Sequence, residues 1–150
     1  MTRLHDLFDE HRQSAWLDNI RRDWITSGEL SNWVDKGVRG LTSNPTIFEN
    51  AIGGSSDYDE ELATFVESGA SVEDAYWGLV KTDIRGALKV LSGVHADSGG
   101  EDGYVSVEVA PTLAHDTQGT IAAARELDGE IAAPNPVSYT HLTLPTTPYV

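Results

Sequence analysis

Cysteine is absent from these 150 residues, so neither a disulfide framework nor a thiolate zinc site can hold the fold together. Positive charge is scarce: 10 Lys and Arg stand against 24 Asp and Glu, a formal charge of −14. Such a surface repels nucleic acid and anionic membrane, which argues against both as partners, and a phosphorylated ligand would need a local basic pocket. No stretch approaches the ~20 apolar residues of a membrane span. The opening Met-Thr-Arg-Leu-His-Asp-Leu-Phe-Asp-Glu lacks an apolar core of signal-peptide length. The five histidines are scattered without ligand spacing, so no metal is expected. These absences fit a soluble cytoplasmic protein, with length for one modest domain or part of a larger one.

What is present alternates between strand and helix signals. Leu4, Leu7, Phe8 and His11 recur at helical spacing and predict a leading helix. Ser14–Asp18, "SAWLD", reads as a strand ending on a carboxylate. Thr26 and Glu29 have capping-box spacing before the apolar Leu30, Trp33 and Val34, and Gly37 supplies a stop. Val38–Asn44 predicts a second strand, and "GLTSNPTIFE" turns it directly into a helix. Asn44 is a favoured N-cap there, and Pro45 loses nothing as a first helical residue. "GGSSDYDEE" then reads as a solvated loop; without a lysine after its glycines it is no phosphate loop.

Leu62, Phe65 and Val66 stripe a further helix that Gly69 ends. Ser71 and Asp74 cap a long one carrying Tyr76, Val80, Ile84, Ala87, Leu88 and Leu91. Tyr104–Val109, "YVSVEV", is a third strand with alternating valines. Thr117 opens a helix through Ile121, Ala124 and Leu127, with His115-Asp116 before it as a capping pair. The order predicts an α/β fold on a parallel sheet or barrel, with Trp16, Trp24, Trp33 and Trp77 buried against it.

From residue 131 the character changes. The last 20 residues hold no Asp, Glu, Lys or Arg, and prolines 134, 136, 145 and 148 are four of the chain's 6. Prolines so placed spoil a helix or a central strand. Ser-Tyr-Thr-His-Leu, at 138–142, is also what a common sequencing-adaptor end would encode. Residues 1–135 are therefore expected to form the native segment, and 136–150 a non-native or disordered tail.

Strand parity assembles the candidate site. Val105, Val107 and Val109 share one face of their strand, leaving Tyr104, Ser106 and Glu108 on the other. Thr42 and Asn44 fall together on the second strand, Trp16 and Asp18 on the first. Three successive strands thus each deliver a polar group near the C-terminal end: Asp18, Asn44 and Glu108. In a barrel these converge on one mouth, where active sites sit. An Asp or Asn after a strand is also an ordinary cap or turn former, but a carboxylate among valines needs a partner or a task.

The segments "SAWLDNIRRDWITSGEL", "GVRGLTSNPTIFENAI" and "GYVSVEVAPTLAHDTQGTI" resemble, in order and spacing, the opening third of bacterial transaldolases, most closely actinobacterial forms. The resemblance runs from about residue 4 to Asn135. It implies about three βα units from the N-terminal part of a (β/α)8 TIM barrel of the class I aldolase type. It implies transfer of a dihydroxyacetone unit between sugar phosphates of the pentose phosphate pathway, through a lysine Schiff base. On the same footing, Asp18 is a general acid/base in carbon–carbon cleavage, Asn44 binds substrate with Thr42 supporting it, and Glu108 polarises a proton-shuttling water. No cofactor is implied, and a homodimer is allowed for the full-length protein.

One departure stands out. The family's lysine lies on the fourth strand soon after Pro134-Asn135, where the resemblance stops. Lys36, Lys81 and Lys89 all fall in helical segments and do not fit the role, so the chain is expected to be truncated before the lysine and inactive alone. Two other readings remain: another Schiff-base aldolase of the same barrel family, or a non-catalytic acidic α/β module that binds a partner through its tryptophans.

Overall fold

Alternating apolar residues and short polar turns build a parallel sheet covered on one face by helices. The structure, a computed structural model, describes residues 1–138; most of the expected tail, 139–150, lies outside the described residues. Four strands, β1 (Ala15–Leu17), β2 (Val38–Leu41), β3 (Tyr104–Ser106) and β4 (Pro136–Val137), lie side by side in sequence order, every neighbouring pair parallel. The connecting helices are α1 (Arg3–His11), α2 (Arg22–Thr26), α3 (Glu29–Asp35), α4 (Pro45–Gly53), α5 (Asp59–Glu67), α6 (Val72–Asp97) and α7 (Thr117–Ile131). A strand–helix–strand order with every pair parallel is what one side of a (β/α) barrel requires.

The core lies between the sheet and α6. Leu41, Val105 and Val107 are buried on the helix-facing side, against Ile84, Ala87, Leu88 and Leu91. Side chains of this size each contribute about 1.5–3 kcal/mol when fully buried, which explains why the long helix, begun by its Ser71 cap, anchors the sheet. On the opposite face, Trp16, Gly40 and Tyr104 stand in register. The Trp16 indole covers Gly40, where an added Cβ would meet the ring at 2.4 Å. Trp16 therefore departs from the expected burial: it is 37% exposed, on the face away from the helices. Trp24 and Trp77 pack partly buried against the core.

Three local readings change. Thr26 does not cap a helix: it ends α2, its hydroxyl donating to the Arg22 carbonyl (3.1 Å). Gly28, at φ +84°, turns the chain so that α3 starts afresh at Glu29. The "GGSSDYDEE" loop is only partly solvated, because a 3-10 turn at Ser56–Tyr58 buries the Tyr58 ring. Its hydroxyl donates to Asp83 (2.8 Å) and accepts the Arg22 backbone N–H (3.3 Å).

Finally, Pro136 occupies a strand after all. Val105 and Val107 donate to the carbonyls of Asn135 and Val137 (3.1 and 2.9 Å), so β4 is held through those two residues. The proline between them needs no N–H on that side, and a sheet edge tolerates it.

Candidate functional site

The site forms just past the strand ends, where the ladder stops and side chains turn from packing to solvent. Thr42 still belongs to the ladder, donating its N–H to the Leu17 carbonyl (2.7 Å). That bond sets Thr42 beside Asp18, and the Thr42 hydroxyl donates to Asp18 Oδ1 at 2.5 Å. Ser43, buried, donates to the Ser106 carbonyl (2.7 Å) and ties the end of β2 to β3. Asn44 caps α4, its Oδ1 accepting the Ile47 N–H at 2.9 Å. With the oxygen committed to the helix, the amide NH2 is the group left to face a ligand.

Glu108 stands two residues beyond β3, and Val107 anchors it by its buried side chain and its bond to Val137. Asp18, Asn44 and Glu108 line one open cleft of about 460 Å³ with Thr46, Ile47 and Pro111. The structure thus brings all four sequence-derived residues together: three border the cleft, and Thr42 is bonded to the first of them. Burial pushes the Glu108 carboxyl above its ordinary value, and the neighbouring Asp18 charge adds to the rise. One carboxyl inclined to hold its proton, beside another supported by a hydroxyl donor, is an arrangement suited to two different proton steps.

The three lysines lie elsewhere. Lys81 pairs with Glu130 (3.0 Å), Lys36 sits over the Trp33 ring, and Lys89 is exposed on α6. A second cleft, about 330 Å³, adjoins the first at Asp18 and contains Arg21, which is held by Asp23 at 2.6 Å. Among the described residues no cluster of three or more His, Cys, Asp or Glu is placed to hold a metal. No described helix is long and apolar enough to cross a membrane.

Sequence reasoning missed two residues here. Tyr76 reads as part of the α6 apolar stripe, yet burial and the charges of Glu108 and Glu49 raise its hydroxyl pKa. Ser106 is fully buried, and its hydroxyl has no partner among the described residues. Its parity with Glu108 was the available signal. For Tyr76 there was none, because an aromatic at helical spacing looks like core.

Comparison with known proteins shows the family. The family model described as Transaldolase/Fructose-6-phosphate aldolase matches residues 15–137. Transaldolase 2 of Nostoc punctiforme is 46% identical over 127 residues, covering 84% of this chain and 33% of the relative. Transaldolase 1 of Streptomyces coelicolor is 46% identical over 123 residues, 81% of this chain and 32% of the relative. The transaldolase of Thiobacillus denitrificans is 47% identical over 124 residues, covering 82% and 34%. The chain spans about a third of the length of these relatives.

Proposed function

The chain belongs to the transaldolase/fructose-6-phosphate aldolase family, and from that premise we propose that it is the N-terminal part of a pentose phosphate pathway transaldolase. The observation that carries the reading is the convergence of Asp18, Asn44 and Glu108 on one cleft past consecutive parallel strands. The complete protein would move a dihydroxyacetone unit from sedoheptulose 7-phosphate or fructose 6-phosphate to an aldose phosphate. Its setting would be the cytoplasm, and it needs no cofactor.

In this reading a lysine amine of the complete protein, absent from this chain, adds to the ketose carbonyl. The resulting carbinolamine loses water to form an imine. Glu108 serves that stage: its partly buried carboxyl holds the water that carries protons between nitrogen and oxygen. Asp18 takes the proton from the sugar hydroxyl as the carbon–carbon bond breaks, and returns one when the acceptor aldehyde is attacked. The Thr42 hydroxyl keeps Asp18 oriented. Asn44 offers neutral N–H donors, which bind substrate oxygen without protonating the amine. A lysine would act only if its pKa were brought well below the ordinary ~10.4.

The 150-residue chain carries none of this alone, because its three lysines sit on the outer helices or their ends. We further propose that the codons after Asn135 depart from the genuine gene, and that a strand with the reactive lysine follows there. Sequencing the locus from independent DNA tests this; recovering "VSYTHLTLPTTPYV" would refute it.

The activity is tested on the complete gene product with fructose 6-phosphate and erythrose 4-phosphate, with borohydride to trap the imine. Turnover needing both sugars and a trapped adduct support transaldolase. Release of free dihydroxyacetone without an acceptor would instead favour the aldolase activity in the family's description. The chain as given should show no turnover above a no-enzyme control.

A further inference from the structure

Behind the cleft lies a second, far smaller space. It measures about 10 Å³ and is bordered by Ser43, Asn44, Phe48, Tyr76, Trp77 and Glu108. That volume admits one water, and an ordered water needs two to four polar partners. Tyr76, Glu108, Asn44 and Ser43 all line it and carry polar groups; the Ser43 hydroxyl already donates to the Ser106 carbonyl, which leaves it as an acceptor. Glu108 borders both this cavity and the open cleft, so it can address a different partner on each side.

We propose that this cavity seats a single water bridging the Tyr76 hydroxyl and the Glu108 carboxylate, which makes Tyr76 a positioning residue for Glu108. The water is separate from any that takes part in the reaction within the cleft. The inference rests on the transaldolase reading, since it assigns Tyr76 a task through a residue of that mechanism.

The surroundings give this bridge its weight. The Asp18 charge, past the end of β1, acts on Glu108, and the charges of Glu108 and of Glu49 on α4 act on Tyr76 of α6. No cation borders the cleft or the small cavity among the described residues. A carboxylate among other carboxylates, without a cation, keeps its charge only through neutral donors. Tyr76 supplies such a donor at neutral pH, because burial and the two glutamates hold its proton in place. The O–H donates to the water, the water donates to Glu108, and the negative form is stabilised. Removing the hydroxyl leaves the cavity walls otherwise intact and takes that support away.

The test uses the full-length protein and follows the pH profile of imine formation by borohydride trapping. Glu108 acts there as a carboxylate, so the low-pH limb reports its pKa. Tyr76→Phe should move that limb upward by roughly half to one pH unit, the effect of losing one neutral hydrogen bond. Site-specific 3-fluorotyrosine at position 76, a stronger donor of nearly the same shape, should move it downward. Leu79→Ala, a buried residue of α6 that does not border the cavity, should lower stability and leave the limb in place. An unmoved limb in Tyr76→Phe, or an equal movement in Leu79→Ala, overturns the proposal. If the parent forms no trappable adduct, the transaldolase reading falls and takes this inference with it. If the parent traps adduct but the limb ignores position 76, only the inference falls.

Discussion

Asp83 is the most exacting test of how this chain holds the segment that follows β1. It sits in the middle of α6 with 2% of its side chain exposed, accepting Arg22 Nε on one oxygen and the Tyr58 hydroxyl on the other, both at 2.8 Å. Arg22 opens α2, four residues after Asp18, and also reaches Glu61 of α5 at 2.6 Å. Arg22, held by Asp83 and Glu61, thus ties the segment after β1 to α6 and α5, and Asp83 adds the Tyr58 turn. Burial nevertheless pushes the Asp83 carboxyl above its ordinary value, against the pull of Arg22 and Tyr58. At Asp83 desolvation outweighs the partners, whereas at Arg22 desolvation is outweighed by the carboxylates together, which raise the guanidinium pKa; an intact buried pair of this kind adds little net stability.

Breaking it is another matter. Asp83→Ala strands an Arg22 side chain that is only 11% exposed, and breaking a buried pair costs about 3–5 kcal/mol. Glu61, 29% exposed, remains beside the guanidinium, which places the loss at the lower end, about 3 kcal/mol. Tyr58→Phe removes both bonds of that hydroxyl, the one donated to Asp83 and the longer one accepted from the Arg22 N–H, and should cost about 1–3 kcal/mol. Replacing both charges, Asp83→Leu with Arg22→Met, should cost less than Asp83→Ala alone, because no buried charge is left behind. Urea unfolding followed by tryptophan fluorescence measures all three. An Asp83→Ala chain within about 0.5 kcal/mol of the parent would refute the reasoning, as would a double replacement costing more than the single one.

Three further outcomes follow from the site and the sheet. In the complete protein, Asp18→Ala should slow carbon–carbon cleavage and Glu108→Ala imine formation, each by ~10²–10⁴-fold; adduct trapped at the parental rate in Glu108→Ala would remove its assignment. Gly40→Ala drives a methyl group to 2.4 Å from the Trp16 ring and should cost about 1–3 kcal/mol as overpacking, measured by chemical denaturation. Asp18→Asn should bring the Glu108 carboxyl down by removing the like charge, while the larger effect of burial stays, as followed by carboxyl carbon shifts. Because the folded-state value is raised, the stability linked to the Glu108 proton is full below the unfolded-state pKa. It is lost as pH rises through the folded one, and Asp18→Asn should move that loss to lower pH.

The sheet was legible because its signals are periodic and local. Valines alternating through 105, 107 and 109 can pack one face only, and Asn44-Pro45 can do little but start a helix. Ser71 before Asp74 likewise marked the long α6, and the structure places its first residue at Val72. What failed depended on contacts far apart in sequence. Thr26 had the spacing of a cap, but the left-handed Gly28 had already reset the chain direction. Tyr58 sat in a polar run, and only Asp83, 25 residues later, explains its burial. Trp16 went to the wrong side of the burial argument because parity places it with Asp18, over a glycine, away from the helices.

The same locality explains why the meeting of these four residues could be read while their supports could not. Asp18, Thr42, Asn44 and Glu108 stand at or just past strand ends, where chain direction and parity fix a side chain's bearing before any packing is known. Asn44 shows how tightly the two levels are joined. As an N-cap it aims its oxygen at the Ile47 N–H, which leaves its NH2 group to donate to whatever enters the cleft. A helix-start rule therefore specifies the polarity that Asn44 presents to the cleft. Glu108 is different: its bearing follows from the valine pattern, but its proton affinity depends on burial and on Asp18, ninety residues earlier in the chain. Residue types and spacing say which groups can meet at this mouth. Which of them holds a proton is a property of the assembled sheet.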